Sequence, residues 1–406
     1  MKRFCITIFL LLSVAIVSMA QISRGGRMKD VYIPEDLRTM NLEADTSQWC
    51  WKRSAETRDL IFMWQRGFGH DLQDAPRLEG KPMNVNLSVL MERVQSFYTF
   101  FRDTLGWGSN SLSSSKADRY KMMVMLNYSL EGTAYGGTYD NFIGALWVAP
   151  NRIQDKTMNC MAHELGHSFQ AQIMADSVGQ CWGGTGFFEM TSQWMLWQVN
   201  PWWLRDENYH FEAFKTLTHK AYLAMENIYH SPYVIQWWSD RHGRKSIAEL
   251  FRQGRIGEDP VMTYKRRWSM TQKQFCLEML QGYQHLVDFD FQHARQETRP
   301  YAQTWHTRLD TLRSGWLMPK DTLEDYGFHI IPLTVGKKIA RPQVDGKNVV
   351  WALVGIDAEG RCVYGEPLQK RLPVTRLEKL YLVVMGAPEK HQMHSSRRYP
   401  YRLKIR

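Results

Sequence analysis

The sequence predicts an α+β chain, and three changes of texture along it predict that class. Between about 46 and 154, short apolar runs that read as strands are interrupted by one amphipathic helix. From 155 to about 324, apolar residues recur at helical spacing. From 325 to 406, β-rich runs return, separated by Gly and Pro, and read as a small β-sandwich-like module. With 406 residues, 44% of them hydrophobic, the chain can bury a large core in more than one domain or subdomain. Its 13% aromatic and 23% charged residues are not the composition of a disordered chain.

The first twenty residues read as a leader. Lys2 and Arg3 precede an apolar run from Phe4 to Val17, and Ser18-Met19-Ala20 supplies a small-residue cleavage site. This is the pattern of a secretory signal peptide, so cleavage after Ala20 and a secreted or periplasmic location are expected. The run is too short to span a bilayer comfortably, and no other apolar run is long enough, so no stable membrane span is expected after cleavage. Residues 21–45 read as a loose lead-in. Removal of 1–20 takes away two positive charges, and the net charge of +10 becomes +8. Basic residues are spread out apart from Lys265-Arg266-Arg267 and Arg397-Arg398, which read as solvated faces. No nucleic-acid motif accompanies them, so nucleic acid is not an expected partner. Nothing in the sequence sets an oligomeric state.

Five cysteines remain beyond the leader: Cys50, Cys160, Cys181, Cys276 and Cys362. The number is odd and no C-x-x-C occurs, so this is no disulfide scaffold. They read as buried thiols. An export route leaves open a Cys160–Cys181 bridge.

Within 46–154, Asp59–Trp64 reads as a strand broken by Gly67 and Gly69. Leu87, Leu90, Val94, Phe97, Phe101 and Leu105 share one helix face, so 86–105 is a helix ended by Gly106. Lys121–Tyr128 reads as a buried strand. Gly132-Thr-Ala-Tyr-Gly-Gly137 reads as a turn leading to a strand at 142–148, closed by Pro150 and able to offer its edge to an extended substrate. In the helical stretch, Asp155 can cap a helix holding Met158, Met161, Ala162, Leu165, Phe169 and Ile173. Further helices are expected from Phe187, over about 208–227, and near 233–242, 246–253 and 271–288. In the last stretch, Asn348–Ile356, Leu380–Met385 and Tyr399–Ile405 read as strands.

The chemistry gathers on the helix after Asp155, which carries His163-Glu164-Leu165-Gly166-His167. Residues four apart lie on one helix face, so the two imidazoles can reach one metal ion. Glu164 is rotated about 100° from His163 and is placed as a general base for metal-assisted hydrolysis. Catalytic zinc usually takes three protein ligands and leaves a position to water. The third is expected from Glu189, in the first turn of the helix after the glycine-rich Gly183-Gly-Thr-Gly186. Cys160 lies on the same side of the motif helix and reads as packing beneath the site, since a fourth ligand would close the position water needs.

His163-Glu-Leu-Gly-His167 followed by Glu189 resembles the gluzincin class of zinc metallopeptidases, with agreement in layout from about 46 to 290. The resemblance implies a zincin-like catalytic domain: a strand-plus-active-site-helix subdomain, then a mostly helical one, with Zn2+ between them. It implies His163, His167 and Glu189 as ligands and Glu164 as the base that activates a zinc-bound water. Gly132-Thr-Ala-Tyr-Gly-Gly137, Gly144-Ala-Leu-Trp-Val148, Ala162–Gln170, Val383-Val-Met-Gly-Ala-Pro388 and Tyr399-Pro-Tyr401 also look like a family of secreted bacterial proteins of unknown function with metallopeptidase motifs. Gluzincins often carry an acidic residue four after the ligand glutamate, to orient a ligand histidine. Here that residue is Gln193, which can accept a hydrogen bond but lends no negative charge. Gluzincins also use a Tyr or His to steady the developing oxyanion. Tyr229-His230-Ser231-Pro232 looks like the Tyr-containing turn of the aminopeptidase-type members, with Tyr229 the first choice and His230 the second.

The expected function is therefore a secreted zinc-dependent metallopeptidase, an endopeptidase by default, acting on a peptide or protein substrate, glycoproteins included. The alternative is a weakly active or inactive zincin-fold protein that binds glycan or a surface protein. For that reading the C-terminal β module would bind together with a groove lined by Trp194, Trp197, Trp202 and Trp203, with Gln193 in place of an acidic residue as further support, although at helical spacing the tryptophans read first as core. His391-Gln-Met-His394 reads as a surface loop rather than a metal site.

Overall fold

The computed structural model describes residues 29–110, 113–179, 182, 186–293, 295–335, 342–372 and 376–405. The leader, Cys181 and Gly183–Thr185 lie outside the described residues.

The first part holds α1 (Glu35–Arg38), β1 (Ser54–Glu56), β2 (Leu60–Trp64), α2 (Leu87–Thr99), β3 (Met122–Leu126), β4 (Ala134–Tyr139) and β5 (Ile143–Val148). The helical part runs through α3 (Asn159–Ala175), α4 (Phe187–Val199), α5 (Trp203–Asp206), α6 (Asn208–Leu217), α7 (Tyr233–His242), α8 (Ser246–Gln253), α9 (Pro260–Arg267), α10 (Gln272–Leu286) and α11 (Arg295–Thr298). The rest is β6 (Leu309–Thr311), β7 (Leu317–Pro319), β8 (Phe328–Leu333), β9 (Pro342–Gly346), β10 (Val349–Ile356), β11 (Cys362–Tyr364), β12 (Lys379–Gly386) and β13 (Tyr401–Ile405). The chain is mixed α+β.

The first sheet has the order β1-β2-β3-β5-β4. Its centre, β2, β3 and β5, is parallel; β1 and β4 are antiparallel edges. Parallel strands are covered on both faces, so they carry unbroken apolar runs. Every residue of β2 and of β3 is buried accordingly. Two expectations fail here. Gly132–Gly137 is not only a turn, because Ala134–Tyr139 pairs with β5 as β4. The strand at 142–148 is interior, between β3 and β4, so the edge open to an added strand belongs to β4. Glycine and tyrosine in place of an apolar run hid it; glycine is depleted in strands and marks close approaches of backbone.

α3 packs against β4 and β5 and against α4. Ser168 Oγ donates to the Ala145 carbonyl at 2.8 Å, and Gln172 Oε1 accepts from the Gly144 N–H at 2.7 Å, which ties α3 to β5. Asp155 does not cap the helix directly. The N-cap is Met158 in a left-handed conformation (φ 52°), and the Asp155 carboxylate accepts from the Met158 N–H at 2.6 Å, one turn early.

α6 stops at Leu217 rather than near 227. Beyond it, the Thr218 carbonyl accepts from Phe328 N–H at 2.8 Å and Tyr222 N–H donates to the Asp325 carbonyl at 3.1 Å. Pairing with the C-terminal part wins over helix propagation. α9 had no counterpart in the sequence reading; its Lys265-Arg266-Arg267 end masks an apolar stripe, while Asp259 caps its start by accepting from Met262 N–H at 2.8 Å.

The C-terminal part forms two four-stranded sheets, β11-β10-β12-β8 and β6-β7-β13-β9. They share a core of Leu353, Leu382, Val384, Tyr401 and Leu403, among others. The opposite face of the first sheet, with Val354, Val383 and Met385, joins the main core, and α10 packs on β10 and β12. Burial on both faces explains the continuous apolar run of β12. β6 and β7 start upstream of residue 325 and were too short to read. The lead-in is packed where it is described, with Leu37 and Leu42 buried and Asp30 bridged to Tyr120. No helix among the described residues is long and apolar enough to cross a membrane.

Candidate metal centre

Two close approaches set the site. A Cβ on Gly136 would lie 1.9 Å from the Glu164 carbonyl oxygen and 2.8 Å from His167 Cβ, so β4 lies directly on the motif helix only because residue 136 has no side chain. A Cβ on Gly166 would lie 2.5 Å from Ser192 Oγ. That hydroxyl donates to the His163 carbonyl, so α4 is held against α3 at the level of the motif. The glycine inside H-E-L-G-H therefore admits the helix that carries Glu189.

His163 Nε2, His167 Nε2 and Glu189 Oε2 meet at one point. Each histidine Nε2 is 3.0 Å from Glu189 Oε2, and the two Nε2 atoms are 3.0 Å apart. They are the one group of three or more His, Cys, Asp or Glu ligand atoms close enough to share a metal ion among the described residues. Cys160 is not part of it; its thiol is free, and burial followed by the charge of Glu164 pushes it up to about 12.

The outer nitrogens fix the tautomers. His163 Nδ1 stands 3.1 Å from Gln193 Oε1, and His167 Nδ1 stands 2.9 Å from Gln170 Oε1. Each amide spends its NH2 on a backbone carbonyl: Gln193 on Tyr229 at 3.0 Å, Gln170 on Phe188 at 2.9 Å. Both amide oxygens therefore face the rings, each Nδ1–H donates, and each Nε2 presents its lone pair inward. Three lone-pair atoms 3.0 Å apart repel unless a cation or a proton joins them. Neighbouring donors around a tetrahedral zinc with bonds near 2.0–2.1 Å stand about 3.3 Å apart, so the set fits zinc in chemistry and in spacing. The same demand for positive charge acts on protons. Burial opposes the charged form of His167, but the Glu189 carboxylate overrides it and raises its proton affinity. Burial likewise opposes the Glu189 carboxylate, but the two imidazoles hold its carboxyl far below the usual range.

The donors open on a cavity of about 560 Å³. Glu164, 9% exposed, lines it, as do Tyr135 and Gly136 of the β4 edge, Tyr229, Arg152, Glu207 and His210. Tyr229 sits with its ring centroid 6.1 Å from that of His163. Burial, then the charge of Glu189, raises its phenol above the ordinary value, so it stays a hydrogen-bond donor. His230 is not on the cavity wall. It stands behind His210, with the two Nδ1 atoms 2.8 Å apart. Gln193 Nε2 is 3.3 Å from His210 Nε2, so a chain of contacts runs from His163 through Gln193 and His210 to His230.

Gln170, His210, Glu207 and the β4 edge were missed by sequence reasoning. Gln170 was legible in part, since it lies three after His167 and so on the same face. Trp194, Trp197 and Trp203 are core, and only Trp202 is exposed. Residues 391–394 form a loop with Gln392, Met393 and His394 exposed, anchored by His391, which bridges Asp259 (2.6 Å) and Tyr326 (3.0 Å).

A protein-family model described as a family of unknown function, DUF6055, matches residues 25–406. No curated protein matches the chain.

Proposed function

The chain belongs to the DUF6055 family, and we propose that it is a zinc-dependent metallopeptidase with a zincin-like catalytic unit, exported by its leader. The observation that carries this reading is the convergence of His163 Nε2, His167 Nε2 and Glu189 Oε2 beside Glu164 in one open cavity. Those three residues would hold the zinc, which when bound supplies Lewis-acid polarisation of the scissile carbonyl and a more acidic water.

The chain's own residues do the rest. Extended substrate backbone adds to the β4 edge beside Tyr135 and Gly136, which brings a peptide bond alongside the motif helix. Glu164 Oε takes a proton from the attacking water and passes it to the leaving amine nitrogen. Tyr229 O–H donates to the carbonyl oxygen as negative charge develops there. Gln193 and Gln170 hold the two imidazoles in the tautomer that keeps Nε2 free. The binding-only reading loses its aromatic groove, because three of its four tryptophans are in the core.

The test is digestion of a mixed peptide library by the purified, zinc-loaded chain, with and without a chelator, beside Glu164→Gln. Cleavage that stops with chelator and in the variant supports the reading. No cleavage by zinc-loaded protein contradicts it.

A further inference from the structure

One carboxylate in the cavity is left without a task. Glu207 lies between α5 and α6 and lines the same cavity as Glu164 and the three donors. Its Oε2 accepts from Trp203 Nε1–H at 2.7 Å, and its Oε1 accepts from Asn159 Nδ2–H at 3.2 Å. Both donors are themselves fixed. Trp203 is fully buried, and Asn159 Oδ1 is occupied by Asn200 Nδ2–H at 2.9 Å, which turns the Asn159 NH2 toward Glu207. The carboxylate is thus rigidly posed, with its side chain 23% exposed, by donors that carry no charge. No Lys or Arg pairs with it among the described residues. His210 Nε2 comes to 3.7 Å, but burial and the neighbouring His230 and His163 push that imidazole down to about 4, so it is neutral near pH 7. Arg152 shares the cavity wall but is exposed and donates to the Gly132 carbonyl at 3.0 Å.

A partly desolvated anion with no countercharge is costly unless something supplies one. Glu164 and Glu189 have their tasks in the cavity; Glu207 faces the substrate space held by neutral donors, with no Lys or Arg paired to it among the described residues although Arg152 shares the wall. We propose that Glu207 is a specificity determinant that receives a cationic nitrogen of the substrate, either a free α-ammonium or a Lys or Arg side chain; this rests on the peptidase reading. The two sources share one chemistry, an N–H⁺ donor to a preorganised carboxylate.

The test uses the zinc-loaded chain and matched peptide pairs. One pair differs in a free against an acetylated N-terminus. The other differs in Lys or Arg against norleucine along the sequence. The ratio of kcat/KM within each pair is measured for wild type and Glu207→Gln, which keeps shape and removes charge. Binding of the same pairs to Glu164→Gln is measured by calorimetry. The expected result is a preference of roughly tenfold or more for the cationic member of one pair, falling to within about twofold in Glu207→Gln; the pair that shows it identifies the source. Cleavage without charge preference, a preference for anionic peptides, or a preference that survives Glu207→Gln overturns the assignment and leaves the peptidase reading standing. Charge-selective, Glu207-dependent binding without any cleavage supports the role of Glu207 and removes the peptidase. Neither binding nor cleavage of any pair overturns both.

Discussion

His163 Nδ1 and Gln193 Oε1 stand 3.1 Å apart across α3 and α4, and the tautomer of the histidine is set by a neutral amide rather than by a carboxylate. Gln170 does the same for His167 from within α3, at 2.9 Å. Removal of such a partner typically weakens metal binding about 10–100-fold, because the ring loses its tautomer and its orientation. Gln193→Ala and Gln170→Ala are each expected to lower zinc affinity in that range, read by competition against a chromophoric chelator. Unchanged affinity in both variants would show that the amides do not orient the rings.

Tyr229 lines the cavity and His230 stands behind His210, so the two candidate oxyanion donors separate by experiment. Tyr229→Phe is expected to lower kcat about 10²-fold with KM little changed, as befits a contact made only in the transition state. His230→Ala is expected to cost far less. The reverse order in steady-state kinetics would exchange their roles.

Gly136 has no room for a methyl group, with the Glu164 carbonyl oxygen 1.9 Å from where a Cβ would sit. Gly136→Ala must push β4 off α3, at a cost of about 1–3 kcal/mol or more. A lower melting temperature is expected, together with weaker zinc binding, because β4 seats the helix at His167. Wild-type stability in Gly136→Ala would place β4 elsewhere.

Stability should also fall on the acid side through a group remote from the cavity. Burial, and then the neighbouring His219, push His329 down to about 3, while its Nδ1 pairs with Tyr401 Oη at 3.0 Å. Its folded value is below the unfolded value of about 6.5, so the unfolded chain binds more protons between those limits. The contribution is therefore intact above about pH 6.5 and is lost as pH falls toward 3, at up to about 1.4 kcal/mol per pH unit. His329→Gln is expected to flatten this limb in urea titrations at pH 7 and pH 5. An equally steep limb in the variant would rule out His329 as its source.

What was legible in the sequence follows from how each signal arises. β2 and β3 showed as unbroken apolar runs because parallel strands are buried on both faces. His163, Glu164 and His167 showed because their geometry is local to one helix. Glu189 showed because it sits in the first turn of the next helix, shortly after the motif in sequence. β4 did not, because its residues serve the helix lying on it rather than strand propensity. Glu207 and His210 did not either, because their place in the cavity depends on how α5 and α6 fold back, which no local pattern encodes. The early end of α6 was decided by hydrogen bonds from Tyr222 to Asp325 and from Phe328 to Thr218, more than a hundred residues apart.

The central claim is that His163, His167 and Glu189 together hold one zinc ion. Elemental analysis of purified chain after zinc loading and exhaustive dialysis tests it most directly, with wild type beside Glu189→Ala and His163→Ala. The account predicts about one zinc per chain in wild type and little in either variant. Wild-type protein without zinc, or variants that retain it in full, would contradict the account.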